Sequence, residues 1–350
     1  MRILLPLIAV VVLGAVAFLG VQTAGLQYFF GVVIPYAALA IFLLGVIYRI
    51  LRWAASPVPF RIPTTCGQEK SLPWIKTDPL ESPNGTAGVI GRMALEVFFF
   101  RSLFRNLKFR YKAGDGSNPS LTYRRTLWLW LFGLTFHWSF LFVFVRHLRL
   151  FTQPIPAFVS AMNGWDAGLS NILQHFNVPP LHLVNIVGAP PLLISDVILV
   201  TAVTLLFLRR VLIPQVRYIS LPADYFPLFL IFAIALSGIC MRYFFKVDVI
   251  HIKELTMGLA TFHPVVPEGI DAIFFVHLLL VCTLFAYFPF SKLVHMAGVF
   301  MSPTRNLANN SRAKRHVNPW NYPVKLHSYE EYEDEYRELM KKAGIPVEKD

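Results

Sequence analysis

The sequence predicts an all-α integral membrane protein with about six transmembrane helices. Of its 350 residues, 55% are hydrophobic and only 15% are charged, whereas ordinary soluble domains carry about 25% charged residues. The mean hydropathy is +0.55. Six segments are apolar and long enough to cross about 30 Å of hydrocarbon as helices. These segments are residues 3–20, 28–48, 127–145, 192–207, 225–244 and 272–290.

The basic residues predict how these spans are oriented. Lys and Arg collect on the cytoplasmic side of membrane proteins. Here they follow or precede alternate ends of the spans, at Arg49, Arg52, Arg124, Arg125, Arg209, Arg210, Lys292 and Arg305. We therefore expect a multi-pass protein of the bacterial inner membrane, in contact with lipid, with both termini in the cytoplasm. This arrangement explains the formal net charge of +12, so no nucleic-acid partner is expected.

The first span has two interpretations. Residues 1–23 predict an N-terminal transmembrane helix that precedes a membrane domain at residues 24–300. Met1-Arg2, a short apolar core and Ala15-Val16-Ala17 also resemble a secretory signal peptide. Because the apolar run continues past Ala17, retention as a signal anchor is favoured over cleavage.

Two further segments predict cytoplasmic surfaces. Within residues 91–112, Arg101, Arg105, Lys108 and Lys112 fall at helical spacing among apolar side chains, which predicts a surface helix on the inner leaflet. Such a helix would anchor the protein to lipid or dock a soluble partner. Residues 301–350 predict a partner-docking tail with a helix that begins at a capping box formed by Ser328 and Glu331.

Two spans carry histidines in pairs, and these residues carry the chemistry. His137 and His147 belong to the third span, and His277 and His295 belong to the sixth span and its inner end. A haem iron takes two axial ligands, for which imidazole is a common choice. Because the two spans run in opposite directions, depth pairs His147 with His277 near the outer face and His137 with His295 near the cytoplasm. The sequence therefore predicts two haem b groups with four axial histidine ligands.

The unequal spacing of the ligands is a difficulty for this prediction. The ten residues from His137 to His147 rise about 15 Å along a helix, and the eighteen from His277 to His295 rise about 27 Å. If the two ligands of one haem lie at the same depth, the two ligands of the other haem differ in depth by about 12 Å. Tilt and a kink at Pro289 would divide this offset. The rival interpretation is a histidine-dependent transporter, but such proteins usually place acids beside the histidines, and Asp196 is the only acid well inside a span.

Other residues complete the predicted site. Arg146, Arg149, Arg242 and Lys246 at outer ends are candidates for pairing with buried anions, and the three arginines are candidates for holding haem propionates. His251, Lys253, Glu254 and Asp271 in the outer loops are candidate proton acceptors for a quinol. Cys66, Cys240 and Cys282 form no C-x-x-C pair, so the chain is not expected to hold an iron–sulfur cluster by cysteine alone.

The histidine spacing, ten residues on one helix and eighteen on the last, resembles that of the gamma subunit of respiratory nitrate reductase over residues 28–295. It differs from the near-equal spacing in the cytochrome b of quinol–cytochrome c reductases. The additional first span, the basic surface stretch and the tail with Asn318-Pro319-Trp320 are most similar to the cytochrome b subunits (DsrM) of the Dsr complexes of sulfite and sulfur metabolism.

This resemblance implies a membrane-anchoring electron-transfer subunit with two haem b groups. It would exchange electrons between menaquinone or menaquinol and a cytoplasmic iron–sulfur subunit similar to heterodisulfide reductase. Further implied partners are a periplasmic multihaem cytochrome c, a ferredoxin-like subunit and a second membrane subunit. By the family pattern, His147 and His277 match the distal haem ligands, and His137 and His295 match the proximal ones. The alternative is a gamma-type cytochrome b of another quinone-linked reductase, for nitrate or heterodisulfide.

Overall fold

A computed structural model describes residues 2–57, 70, 74–113, 118–175, 193–308 and 326–349. Helices make up most of this part of the chain. They are α1 (Leu4–Ala24), α2 (Ile34–Ala54), α3 (Thr86–Phe99), α4 (Arg101–Phe104), α5 (Leu127–His147), α6 (Ala157–His175), α7 (Ile194–Leu212), α8 (Pro214–Ile219), α9 (Pro222–Cys240), α10 (Val249–Ala260), α11 (Ala272–Tyr287), α12 (His295–Gly298), α13 (Pro303–Asn306) and α14 (Tyr329–Lys342). Cys66 and Asn318-Pro319-Trp320 lie outside the described residues.

Five helical segments among the described residues are long and apolar enough to cross a membrane. They are Leu4–Ala24, Phe29–Ala54, Leu127–Leu150, Pro222–Phe245 and Ala272–Phe290. Two of them extend an α-helix by a π-helical segment, at Phe29–Val33 before α2 and at Met241–Phe245 after α9. These five correspond to five of the six predicted spans, and the chain is an α-helical membrane protein.

The remaining predicted span forms α7, a 19-residue helix that is less apolar than the five because it carries Asp196, Arg209 and Arg210. Asp196 pairs with Arg146 at the end of α5, and Arg210 lies 3.6 Å from Asp224 at the start of α9. Helix α7 is therefore antiparallel to both neighbours and runs alongside them. That it crosses the membrane as they do stays a prediction.

The core of the bundle lies where α1, α2, α9 and α11 meet. Ala17, Leu255 and Phe275 are completely buried in one cluster, and Leu230 is completely buried in a second cluster with Val10. The many exposed apolar side chains of α1 and α2 face outward, as expected where lipid replaces water as the solvent. Following the predicted topology, we call the end of the bundle that holds the N-terminus of α5 the inner end.

The predicted surface helix over residues 91–112 was wrong in its second half. Helix α3 ends at Phe99, Phe100 adopts a left-handed conformation (φ 52°), and the short α4 follows. The chain then forms an antiparallel hairpin of β1 (Leu107–Lys112) and β2 (Ser120–Arg125). The physical reason is the strict alternation of apolar and basic residues from Leu107 to Lys112, which has the period of a strand rather than of a helix.

The tail contains the predicted helix. In α14, the Ser328 hydroxyl accepts a hydrogen bond from the backbone of Glu331, and the Glu331 carboxylate accepts one from the backbone of Ser328, which confirms the capping box. Glu333 then accepts hydrogen bonds from the backbone N–H groups of Glu348 and Lys349. The last residues therefore fold back onto their own helix.

Candidate functional site

The structure brings the two predicted outer histidines together. His147 is the last residue of α5, and His277 lies in the second turn of α11. Their ring centres are 6.4 Å apart, and their ring planes are nearly parallel, at 15°. Two imidazoles bonded at about 2.0 Å to opposite sides of one metal ion have ring centres about 6 Å apart, so this separation fits a shared metal.

The two inner histidines also face each other. The ring centres of His137, in the middle of α5, and His295, at the start of α12, are 5.9 Å apart with an interplanar angle of 83°. The rings of Phe100 and Phe136 each lie 4.9 Å from His137 in edge-to-face geometry. An aromatic wall of this kind suits a flat, apolar cofactor better than a hydrated ion.

Each of the four rings is oriented through its Nδ1 atom. His137 donates to the carbonyl of Gly133, His147 to that of Val143 and His295 to that of Lys292, at 2.7–2.8 Å. Because a carbonyl oxygen can only accept, Nδ1 carries the proton and Nε2 keeps its lone pair. Hydrogen bonds of this kind are typical of metal-binding histidines, whose second ring nitrogen is fixed by the protein.

The fourth ring is oriented by a side chain that the sequence analysis did not identify. Nδ1 of His277 lies 2.9 Å from the Ser237 hydroxyl, which itself donates to the carbonyl of Ile234 at 3.0 Å. The hydroxyl oxygen is therefore available to accept from Nδ1. The sequence offered one signal for this contact: Ser237 is a polar residue inside the fifth predicted span, and His277 lies inside the sixth.

A break in the last span removes the offset that the ligand spacing implied. Helix α11 ends at Tyr287, a 3₁₀ turn covers Phe288–Phe290, and a second one covers Lys292–Val294 before His295. The Arg49 guanidinium donates to the carbonyl of Pro289 at 3.1 Å. Lys292 pairs with the buried Asp224 at 2.6 Å. The chain is thus turned and held at the inner end, where a straight helix would have carried His295 past His137.

The basic residue beside the outer pair has protein partners of its own. Arg146 is buried and contacts Asp166 at 2.5 Å, Asp196 at 2.6 Å and Ser195 at 3.1 Å. The expected pairing of Arg146 with buried anions is confirmed, but the anions are these two carboxylates, so this guanidinium is not available to a propionate. Asp166 lies on α6, a helix that was not predicted.

The predicted proton acceptors near the outer end occupy different places. Lys253 and Glu254 line an open cavity of about 370 Å³, together with Val249, Ile250 and Met257. The helix that carries them, α10, is attached just beyond His147, because Thr256 donates to the carbonyl of Leu150 at 2.6 Å.

The other two predicted acceptors lie outside this cavity wall. His251 lies 3.1 Å from Asp248, and Asp271 is the N-cap residue of α11. Among the described residues, no three His, Cys, Asp or Glu side chains gather around a common point. Each histidine pair has the two imidazoles that the axial ligation of one haem iron requires.

Comparison with known proteins decides the family. Residues 88–315, about two thirds of the chain, match the nitrate reductase gamma subunit family. The chain belongs to the nitrate reductase gamma subunit family. The match includes all four paired histidines, and it confirms the predicted family resemblance.

Two relatives of this gamma-family chain are both named Hdr-like menaquinol oxidoreductase cytochrome b-like subunit. The one from Archaeoglobus fulgidus is 46% identical over 298 residues, which are 83% of each chain. The one from Archaeoglobus profundus is 40% identical over 293 residues, which are 82% of this chain and 81% of the relative. The narrower resemblance to the Dsr subunits stays a prediction.

Proposed function

We propose that this chain is the membrane cytochrome b subunit of a menaquinol-linked oxidoreductase and holds two haem b groups. His147 and His277 would ligate the outer haem, and His137 and His295 the inner one. The observation that carries the proposal is that both pairs face each other at 6.4 and 5.9 Å, with all four Nδ1 atoms held by hydrogen bonds. Haem supplies one-electron transfer, which the side chains of the protein lack.

The surroundings of the two pairs support different roles. The outer pair is linked to the cavity lined by Lys253 and Glu254 through α10, whose Thr256 contacts Leu150, three residues beyond His147. Cavities of about 300–1,000 Å³ with apolar walls and a few polar groups are typical ligand sites, and an oxidised quinol must also release two protons. Menaquinol oxidation is therefore assigned to the outer end, with Glu254 as the first proton acceptor and Lys253, which contacts Gln153, positioning the mouth of the cavity.

The inner pair is the exit for electrons. Its partner is proposed to be a cytoplasmic iron–sulfur subunit similar to heterodisulfide reductase, since the two relatives are Hdr-like by name. A role in sulfur metabolism, with a periplasmic multihaem cytochrome c, a ferredoxin-like subunit and a second membrane subunit, is part of the same proposal and rests on the Dsr resemblance.

The proposal is tested by counting haems in histidine variants. Pyridine haemochrome analysis of the purified protein should give two non-covalent haems per chain. His147→Ala and His277→Ala should each remove the same haem, and His137→Ala and His295→Ala the other. The two haems should be distinguishable by electron paramagnetic resonance, because imidazole planes held nearly parallel, as at 15°, would split the iron d orbitals differently from planes held nearly perpendicular, as at 83°.

Three outcomes would contradict the proposal. One haem or none in the intact protein would refute two-haem binding, and a haem-free protein would favour the transporter interpretation. Spectrally equivalent His137 and His277 variants would refute the pairing. A menaquinol analogue that perturbs the inner haem alone, and still does so in the His147→Ala variant, would place the quinol site at the wrong end. Glu254→Gln should slow menaquinol oxidation while both haems are retained, and His251→Ala, at a residue of α10 outside the cavity wall, is its matched control.

A further inference from the structure

The β1–β2 hairpin has two chemically different faces, since alternate residues of a strand point to opposite sides. On one face Phe109 lies opposite Tyr123, and Tyr111 lies opposite Leu121. These four side chains are between 49% and 73% exposed. A two-stranded hairpin with an uncovered aromatic face is marginal in water, so this face requires an apolar environment.

The second face is basic. It carries Lys108 directly opposite Arg124, with Arg110 and Lys112 on the same side. Directly opposed like charges destabilise a strand pair. None of the ion pairs formed among the described residues includes any of these four cations. The hairpin therefore gathers positive charge that the described part of the chain does not compensate.

The position of the hairpin decides which surface each face meets. Its base is joined to the start of α5, where the backbone N–H of Thr126 donates to the carbonyl of Asn106 at 3.1 Å. The hairpin thus leaves the bundle where a transmembrane helix enters the lipid headgroups. Aromatic side chains are favoured at this level. With its aromatic face against the headgroups, the hairpin would point its basic face away from lipid, on the side that the basic residues predict to be cytoplasmic.

The same segment is close to the inner histidines. Helix α3 is attached to α5 by hydrogen bonds from the indole groups of Trp130 and Trp138 to the carbonyls of Phe99 and Phe98, at 2.8 and 3.0 Å. Phe100, the next residue, contacts the ring of His137. A protein seated on the hairpin would therefore lie at the same end of the bundle as the inner histidine pair.

We propose that the basic face of the hairpin, formed by Lys108, Arg110, Lys112 and Arg124, is the docking surface for an acidic face of a cytoplasmic protein subunit. Carboxylates of that subunit would relieve the opposed cations and fix its position beside the inner end. That the subunit also receives electrons there rests on the proposed function. The docking requires a cytoplasmic partner subunit but not the two haems, so its test needs no haem.

The test is zero-length carbodiimide crosslinking of the complex isolated from its native membranes, followed by mass spectrometry. Carbodiimide activates a carboxylate, which then forms an amide with a lysine amine in contact with it and releases a urea. Lys108 and Lys112 should be linked to Asp or Glu of a different polypeptide. The pair of Lys349 and Glu330 within the tail is the internal control for the reaction. If the control pair is linked but Lys108 and Lys112 are linked to nothing, or only to this chain, the proposal is overturned.

Charge reversal provides an independent arm. The double variant Arg110→Glu, Arg124→Glu should bind the subunit identified by crosslinking with an affinity lower by at least about tenfold. The reason is that like charges would then meet across the interface. Arg217→Glu, which reverses an exposed cation on α8 at the same end, is the matched control and should retain it. The proposal would be overturned if both variants lost the subunit equally, or if neither variant lost it.

Anionic lipid is the other candidate occupant of the basic face. Hydrogen exchange of the chain without its partners distinguishes lipid from a protein subunit. In nanodiscs of phosphatidylcholine, and in nanodiscs that also contain phosphatidylglycerol, the amides of Leu107–Lys112 should exchange at the same rate. In the complex they should be protected. Protection that appears in the isolated chain only with the anionic lipid would assign the basic face to the membrane and refute the proposal.

Discussion

Adding a single methyl group at Gly45 should disturb the inner proposed haem and leave the outer one unchanged. A Cβ atom at Gly45 would lie 2.6 Å from Cβ and 2.7 Å from Cγ of Pro289. Non-bonded carbon atoms prefer about 3.5–4.0 Å, so the Gly45→Ala variant must displace Pro289 by about 1 Å. Pro289 is completely buried, and overpacking of this kind costs about 1–3 kcal/mol, more than the helix propensity that alanine gains.

The displacement acts on the turn that leads to His295. Ligands of a metal site must be held within about 0.5 Å of their productive positions. Gly45→Ala should therefore remove the inner haem, or change its midpoint potential and resonance signal, and leave the outer haem intact. Redox titration and pyridine haemochrome analysis of the purified variant measure this directly.

Gly14→Ala is the matched control. Its Cβ would lie 3.6 Å from Val276, which is ordinary contact, so both haems should be retained. Gly45→Ala protein with two haems and an unchanged inner midpoint potential would refute the argument that the break in the last span positions His295. Equal loss of both haems would show instead that the substitution unfolds the bundle.

Three further predictions follow from individual side chains. Ser237→Ala should raise the midpoint potential of the outer haem without removing it, because His277 loses an acceptor that increases its basicity; the inner potential is the control. Arg146→Leu leaves two buried carboxylates without their cation and should destabilise the protein by about 3–5 kcal/mol, measured by thermal inactivation. Hydrogen bonds from the backbone of Glu348 and Lys349 lower the pKa of Glu333 below its usual 4.5. The stability that Glu333 gives the tail should therefore be lost as pH falls from 4.5 through this lowered pKa, and Glu333→Gln should abolish this dependence in hydrogen exchange.

Much of the fold was predictable because the signals are local and strong. The long apolar spans and the Ser328 capping box follow from composition and from contacts within one turn. The pairing of the histidines in depth followed from the direction of two spans. These predictions required no knowledge of how the helices pack.

What could not be predicted depends on contacts between distant elements. The hairpin was missed because cations at 101, 105, 108 and 112 also fit a helix; the alternation from Leu107 to Lys112 was the better signal, supported by the Asp115-Gly116 turn sequence. The carboxylates that pair with Arg146 belong to Asp166 of α6 and Asp196 of α7. Helix α6 was not predicted because its sequence carries no strong helical signal. The kink at Pro289 was predicted, but the contacts of Arg49 and Asp224 that hold this break were not, because they come from the distant helices α2 and α9.

That break also changes what a sequence motif can measure. The number of residues between two ligands reports their vertical separation only while the helix between them is continuous. Once the chain turns, as it does between Phe288 and Ser291, additional residues are taken up sideways, and ten residues on one span match eighteen on another. Ligands with quite different spacings along the sequence can therefore lie at the same two depths in the membrane. A sequence search that requires one fixed spacing would miss such proteins.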